Sequence, residues 1–256
     1  MNEKISIITG VRNGAEFIRQ TIESVKNQNC PDVEHIVVDG ASTDGTVEIL
    51  KSYPHLIWKS EPDSGQNEAI EKGIRMSTGT ILCILPADDI LLPGSLRKVM
   101  QVFETDPSIK WLAGRCRIID RNGREIRKWV TAYKNLLLKF HSFPLLLTEC
   151  YLSAMSVFFK KEIYEEFAPF NIDEDTEYDM WLSFAKKYQL KVIPDYLSCF
   201  RIHKNSQTGS FSTFPAKKGL KTSIKHAQGH PFALFFAKLN YWKVVLIYSL
   251  INRLLK

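Results

Sequence analysis

Two adjacent carboxylates, Asp88 and Asp89, end the apolar run Ile81-Leu82-Cys83-Ile84-Leu85-Pro86-Ala87. A run this short and apolar reads as a buried strand, which puts the pair in the turn at its carboxyl end. Charge in such a place is costly unless something binds it. In open α/β sheets, ligands occupy the crevice outside the carboxyl ends of the strands. Two hard oxygen donors there suit Mg²⁺ or Mn²⁺ held jointly with a phosphate. The plainer alternative is a solvated turn in which one of the two caps the helix that Pro93 opens.

The neighbouring strand ends carry the same kind of residue. The first strand runs into Thr9-Gly10-Val11-Arg12-Asn13, and the second ends at Asp39, followed by Ser42, Thr43, Asp44 and Gly45. The third runs into Glu61-Pro62-Asp63-Ser64-Gly65. In a parallel sheet these ends line one crevice. An acidic crevice repels a bare nucleotide but accepts one together with a divalent cation. An Asp at a strand end also accepts hydrogen bonds from ribose hydroxyls. Asp39 and Asp63 have a simpler reading as turn residues beside Gly or Ser. No GxxxxGK[ST] or GxGxxG string follows the first strand, which excludes a P-loop and a dinucleotide fingerprint.

The elements that must position these residues alternate. Strands are expected at 5–8, 35–38, 56–58 and 81–85, and helices at 16–28, 47–50, 66–76 and after Pro93. Strands alternating with helices predict a doubly wound, mostly parallel sheet. Further on, 111–119 and 126–130 read as a hairpin around Asn122-Gly123, and 154–159 as an apolar run before a short helix. Residues 175–187 read as a helix, and 190–193 and 197–202 as two last strands. Residues 205–229, rich in Ser, Thr, Gly and Lys, read as a mobile or lid-like segment.

The 256 residues allow one large domain or two small ones. Five scattered cysteines without CxxC spacing argue against a disulfide framework and a zinc site. An apolar strand within five residues of Met1 leaves no room for a signal peptide. The net charge of +6 is uneven: residues 196–256 hold ten Lys/Arg and no Asp or Glu. Such a basic tail meets an anionic polymer or membrane. Residues 231–256 are apolar and aromatic, but Lys238 and Lys243 interrupt them short of the roughly 20 residues a spanning helix needs. An interfacial amphipathic helix is expected, the alternatives being a helix docked on its own core or an oligomer interface.

The ordered strings "SIITGVRNGAEFIRQTIESVKNQ", "HIVVDGASTDGT", "SEPDSGQNEAIEKGI", "STGTILCILPADDILLPGSL", "MSVFFKKEIYEEF", "TEYDMWLSFAKK" and "FRIHKNSQ" cover about residues 4–206. Together they resemble the inverting family 2 glycosyltransferases of the bacterial cell-surface polysaccharide type. The resemblance implies the α/β GT-A fold, with a nucleotide-sugar-binding half at 1–110 and an acceptor half at 111–205. A basic, apolar lid and helical tail would follow at 206–256. Gly10, Val11 and Arg12 would lie against the base, Asp39 would bind base or ribose, and Asp63 would help position the nucleotide. Asp88 and Asp89 would form the metal motif for Mn²⁺ or Mg²⁺, with Asp89 the direct ligand and Asp88 nearer the ribose. His203 would close over the diphosphate. The general base would be Glu177, with Asp179 second.

The implied reaction moves a sugar from a nucleotide-sugar, a UDP-sugar first, to a glycan or lipid-linked acceptor, with inversion. It would take place at the cytoplasmic face of the membrane, contacted through 231–256, with no nucleic-acid partner. The chain departs from the family pattern in three places. Glu177 stands where an Asp is usual, Arg12 where an aromatic is, and Glu71 where an Asn is. A guanidinium can also stack on a base. The competing readings are a non-catalytic or weakly active nucleotide-sugar-binding scaffold and a nucleotidyltransferase. The latter lacks a Gly-rich basic loop for a triphosphate, because residues 9–16 offer only Arg12.

Overall fold

Apolar alternation puts β1 (Ile5–Val11) and β2 (Val33–Asp39) at the centre of a sheet, and both are almost wholly buried. The computed structural model describes residues 3–170, 176–204, 206 and 214–254. It divides into two compact units. The first holds residues 1–118, 152–166 and 189–200, and the second holds 119–151, 167–188 and 201–256.

In the first unit, α1 (Ile18–Lys26) follows β1, α2 (Thr46–Lys51) follows β2, and α3 (Gln66–Met76) follows β3 (Ile57–Ser60). Then come β4 (Ile81–Ile84), β5 (Ile90–Leu91), α4 (Ser95–Thr105) and β6 (Trp111–Ile119). The helices form where apolar residues recur at helical spacing: α1 buries Ile18, Ile22 and Val25, and α4 buries Leu96, Val99, Met100 and Phe103. Glycine at 73 lets α3 lie close on β1, since a Cβ there would come within 2.5 Å of Ile8.

The eight-stranded sheet has the order β3-β2-β1-β4-β7-β6-β8-β5. β1 pairs in parallel with β2 and β4, and β2 with β3, so the expected parallel sheet holds across these four strands. Beyond β4 the sheet is mixed. β7 (Val157–Lys160) runs antiparallel to both β4 and β6, and β5 runs antiparallel to β8 (Lys191–Arg201). The two expected last strands are therefore one. Pro194 lies within it, away from Ser198 and Cys199, which pair with β5.

In the second unit the expected hairpin shrinks to one bridge, Ile119 with Glu125, around the Asp120–Gly123 turn. The chain then enters α5 (Lys128–Lys139), so 126–130 is not a strand. The leucine-rich continuation of this segment favours helix over strand. α6 (Phe143–Thr148), α7 (Lys161–Phe167) and α8 (Thr176–Lys187) follow. Of these, α7 lies almost wholly in the first unit. Within 205–229 the described residues include a helix, α9 (Phe214–His226); residues 205 and 207–213 lie outside the described residues. α10 (Pro231–Leu254) ends the chain. Among the described residues no helix is long and apolar enough to cross a membrane. None of the five cysteines forms a disulfide.

Candidate active site

The carboxyl ends of β1, β2 and β4 meet through their loops. The backbone N–H of Asn13 donates to Ser42 Oγ at 2.7 Å, and the Asn13 side-chain oxygen accepts from Thr43 N at 2.9 Å. Asp44 accepts from Ala15 N at 2.9 Å, and Gly14 N donates to Thr46 Oγ1 at 2.9 Å. The loop after β1 is thus stitched to the loop after β2. Two non-glycine residues here, Asn13 and Ala41, hold left-handed backbone with φ of 53° and 54°. That conformation costs about 1–2 kcal/mol for an alanine, and the stitched network offsets it.

Asp39 ends β2 fully buried. Its Oδ2 accepts from Ser42 N at 3.0 Å and Ser60 Oγ at 2.7 Å, and its Oδ1 accepts from Ser42 Oγ. Protein donors therefore take three of the roughly four acceptor positions of a carboxylate. Asp63 lies against the same place: a Cβ at Gly40 would come within 2.5 Å of Asp63 Oδ2. Only glycine at 40 admits that carboxylate beside the end of β2. Gly10 fits close to Ala69, Val11 is buried, and the side chain of Arg12 is exposed at the mouth of the loop.

Asp88 and Asp89 stand in a tight turn, with Asp89 N donating to Pro86 O at 3.2 Å. The Thr21 hydroxyl lies 2.8 Å from the carbonyls of both Ala87 and Asp89, which ties the turn to α1. Beneath it, Thr9 Oγ1 donates to Leu85 O at 2.8 Å and so accepts from His35 Nε2 at 3.0 Å. Burial pushes the His35 ring down to about 3, which keeps it neutral. The pair differs in exposure, since Asp88 is half-buried and Asp89 is fully buried.

Among the described residues no group of three or more His, Cys, Asp or Glu is placed to hold a metal ion by itself. Two adjacent carboxylates are thus a partial set of hard oxygen donors. That set fits Mn²⁺ or Mg²⁺, which keep waters and take the remaining ligands from phosphates.

Glu177, Asp179 and His203 belong to the second unit. Glu177 and Asp179 both lie in the first turn of α8, where the helix dipole favours negative charge. Their surroundings differ. Glu177 is half-buried, whereas Asp179 is buried and held by Lys225 Nζ at 2.9 Å and His226 Nε2 at 2.5 Å. Burial raises the Asp179 carboxyl, but the hydrogen bonds from His226 and Lys225 outweigh it and hold the group below the usual carboxylate range. Tyr178, between them, donates to Leu146 O at 2.6 Å. His203 is half-buried in a turn in which Ser206 Oγ donates to its carbonyl at 2.7 Å.

The sequence marks Asn13 and Ser42 only as polar strand-end residues, without the contacts by which they organise these groups, and it does not single out Ser60, at the end of β3. His226 carried no signal, being one histidine in a lysine-rich segment, and only the fold brings it to Asp179.

The model of the family described as "Glycosyl transferase family 2" matches residues 6–167. The uncharacterized glycosyltransferase MJ1057 of Methanocaldococcus jannaschii is 28% identical over 208 residues, covering 77% of this chain and 70% of its own length. The putative teichuronic acid biosynthesis glycosyltransferase TuaG of Bacillus subtilis is 26% identical over 209 residues, 79% of this chain and 80% of its own. Among solved structures, the mannosyltransferase PcManGT from Pyrobaculum calidifontis, in complex with GDP-Man and Mn²⁺, superposes with a TM-score of 0.70 at 20% identity. That match covers 93% of this chain and 74% of that one. S. aureus TarS 1-349 in complex with UDP-GlcNAc superposes with a TM-score of 0.68 at 15% identity, covering 87% of this chain and 66% of that one.

Proposed function

The chain belongs to glycosyl transferase family 2 and has the GT-A fold, and from that premise we propose that this glycosyltransferase moves one sugar, with inversion, from a nucleotide-sugar to a glycan or lipid-linked acceptor in polysaccharide biosynthesis. The observation that carries the donor reading is the convergence of Asp39, Asp63 and the Asp88-Asp89 turn at the carboxyl ends of β1–β4. Relatives bearing the names teichuronic acid biosynthesis glycosyltransferase and chondroitin synthase support the polysaccharide context. Neighbours solved with GDP-Man and with UDP-GlcNAc support a nucleotide-sugar donor and leave the base open between guanine and uracil. A UDP-sugar is the first to test.

The donor roles fall to the first unit. Asp39 offers its remaining acceptor position to the base or ribose, Arg12 stacks on or pairs with the nucleotide, and Asp63 positions it. Gly10 and Val11 form the wall against the base. Asp88 and Asp89 hold Mn²⁺ or Mg²⁺, with the more exposed Asp88 as the reaching ligand and Asp89 behind it. This ordering reverses the expectation drawn from the family pattern. When bound, the cation neutralises charge on the diphosphate leaving group.

The proton-accepting role falls to the second unit. An acceptor hydroxyl that attacks the anomeric carbon must lose its proton as the new bond forms. Glu177 takes that proton, since the family pattern places the acting carboxylate at that position of the late helix; Asp179, the second candidate, is held by Lys225 and His226. His203 contributes to the diphosphate side. The basic, aromatic segment 231–256 brings the enzyme to the cytoplasmic membrane face, where a lipid-linked acceptor is anchored.

The test is release of nucleoside diphosphate from a set of UDP- and GDP-sugars with Mn²⁺, in wild type and Glu177→Gln. One donor turned over by wild type and not by the variant supports the reading. A folded wild type that neither binds nor turns over any of them with metal present overturns it.

A further inference from the structure

We propose that α5 is a second membrane-docking element, so that the helical unit lies on an anionic bilayer through two apolar helix faces, not through α10 alone. This rests on the reading that the enzyme works at a membrane surface, and it adds a segment outside 231–256 to the contact.

Of the thirteen large apolar side chains exposed among the described residues, eleven lie on α5, its C-terminal cap or α10. On α5 they are Trp129, Tyr133, Leu136 and Phe140, spaced i, i+4, i+7, i+11, which is one stripe of a helix. Trp129, near its start, is 76% exposed. On α10, Phe232, Phe235, Leu239, Trp242 and Leu246 form a second stripe. The buried residues of α10 are small, Ala233 and Ala237, and Leu234, Tyr241, Val244 and Val245 are half-buried, while the larger aromatic stripe stays exposed. A helix docked only on its own protein buries most of its large side chains.

Charge selects the occupant. The unit that carries both stripes holds 18 Lys/Arg and 8 Asp/Glu, a net of +10, whereas the sheet unit holds 16 and 20, a net of −4. Arg121, Arg124, Arg127 and Lys128 cluster at the start of α5, and Lys134 and Lys139 lie along it. A second copy would set +10 against +10, which like-charge repulsion disfavours. An anionic lipid surface meets both the basic flanks and the aromatic stripe.

The test is co-sedimentation of the full chain with phosphatidylglycerol–phosphatidylcholine vesicles and with pure phosphatidylcholine vesicles. Three forms are compared: wild type, Trp129→Ser/Leu136→Ser/Phe140→Ser on α5, and Phe232→Ser/Phe235→Ser/Trp242→Ser on α10. A thermal shift with Mn²⁺ and UDP or GDP reads the donor site separately from the membrane. Wild type is expected to prefer the anionic vesicles, and each triple variant to lower the partition coefficient about tenfold or more. An α5 variant that binds like wild type, beside an α10 variant that does not, overturns the proposal and leaves the tail contact standing. Wild type that ignores both vesicle types overturns both. A dimer that the α5 substitutions dissociate also overturns the proposal and makes this face a protein interface.

Discussion

His226 Nε2 stands 2.5 Å from Asp179 Oδ1, joining the end of α9 to the first turn of α8. Lys225 holds the other oxygen of the same carboxylate at 2.9 Å. These two contacts tie Asp179 to α9 at the helix start, two residues from Glu177.

Glu177→Gln is expected to lower kcat by about 10²- to 10⁴-fold, the usual worth of a general base, with donor affinity unchanged. Asp179→Asn is expected to lower stability by about 1–3 kcal/mol, because it removes the charge from a buried carboxylate that accepts hydrogen bonds from Lys225 and His226. Glu177→Asp restores much of the rate if the carboxylate is the acting group. Steady-state kinetics and denaturant unfolding of the three variants separate these roles.

The Asp179 contribution is pH-dependent. Its folded carboxyl lies below the usual range, so the stabilisation is full above the ordinary Asp value of about 3.9 and is lost as pH falls through the lower folded value. Wild type is expected to lose its advantage over Asp179→Asn in unfolding experiments below about pH 4.

His35 works in a different window. Burial holds it near 3 in the fold, against 6.5 when exposed. The unfolded chain therefore binds a proton that the folded one refuses, and stability falls as pH drops from about 6.5 toward 3. The slope from this group is about 1.4 kcal/mol per pH unit. His35→Gln is expected to flatten that part of the urea-unfolding profile.

Gly40→Ala is expected to displace the Asp63 carboxylate, since the added Cβ would come within 2.5 Å of its Oδ2. Nucleotide affinity should fall about tenfold, by the order of one lost hydrogen bond to a charged group. The metal pair is untouched, so the cation requirement should be unchanged. Isothermal titration with the donor nucleotide, at several Mn²⁺ concentrations, checks both.

Asp88→Ala is expected to abolish the metal-dependent thermal shift by a nucleoside diphosphate while keeping the melting temperature of the ligand-free protein. Asp89→Ala is expected to lower that ligand-free melting temperature as well, because Asp89 is fully buried. Equal loss of the ligand-free melting temperature in both variants would refute the ordering of the pair.

Local pattern determined the first four strands, their helices and the acidic strand ends, because each is written in short-range periodicity and in turn residues beside Asp39, Asp63, Asp88 and Asp89. Helix 66–76 appears with those bounds as α3. The antiparallel half of the sheet was not legible. Pairing partners such as Leu82 and Phe159 are 77 positions apart, and no local rule links them. The start of α5 was misread because a turn at Asn122-Gly123 suits a hairpin and an exit into helix equally. Spacing shows Glu177 and Asp179 only as two acids of one helix turn; the burial of Asp179 and its hydrogen bonds from Lys225 and His226 on α9 are not written there. Only the tertiary structure brings Lys225 and His226, 46 and 47 positions away, to the Asp179 carboxylate.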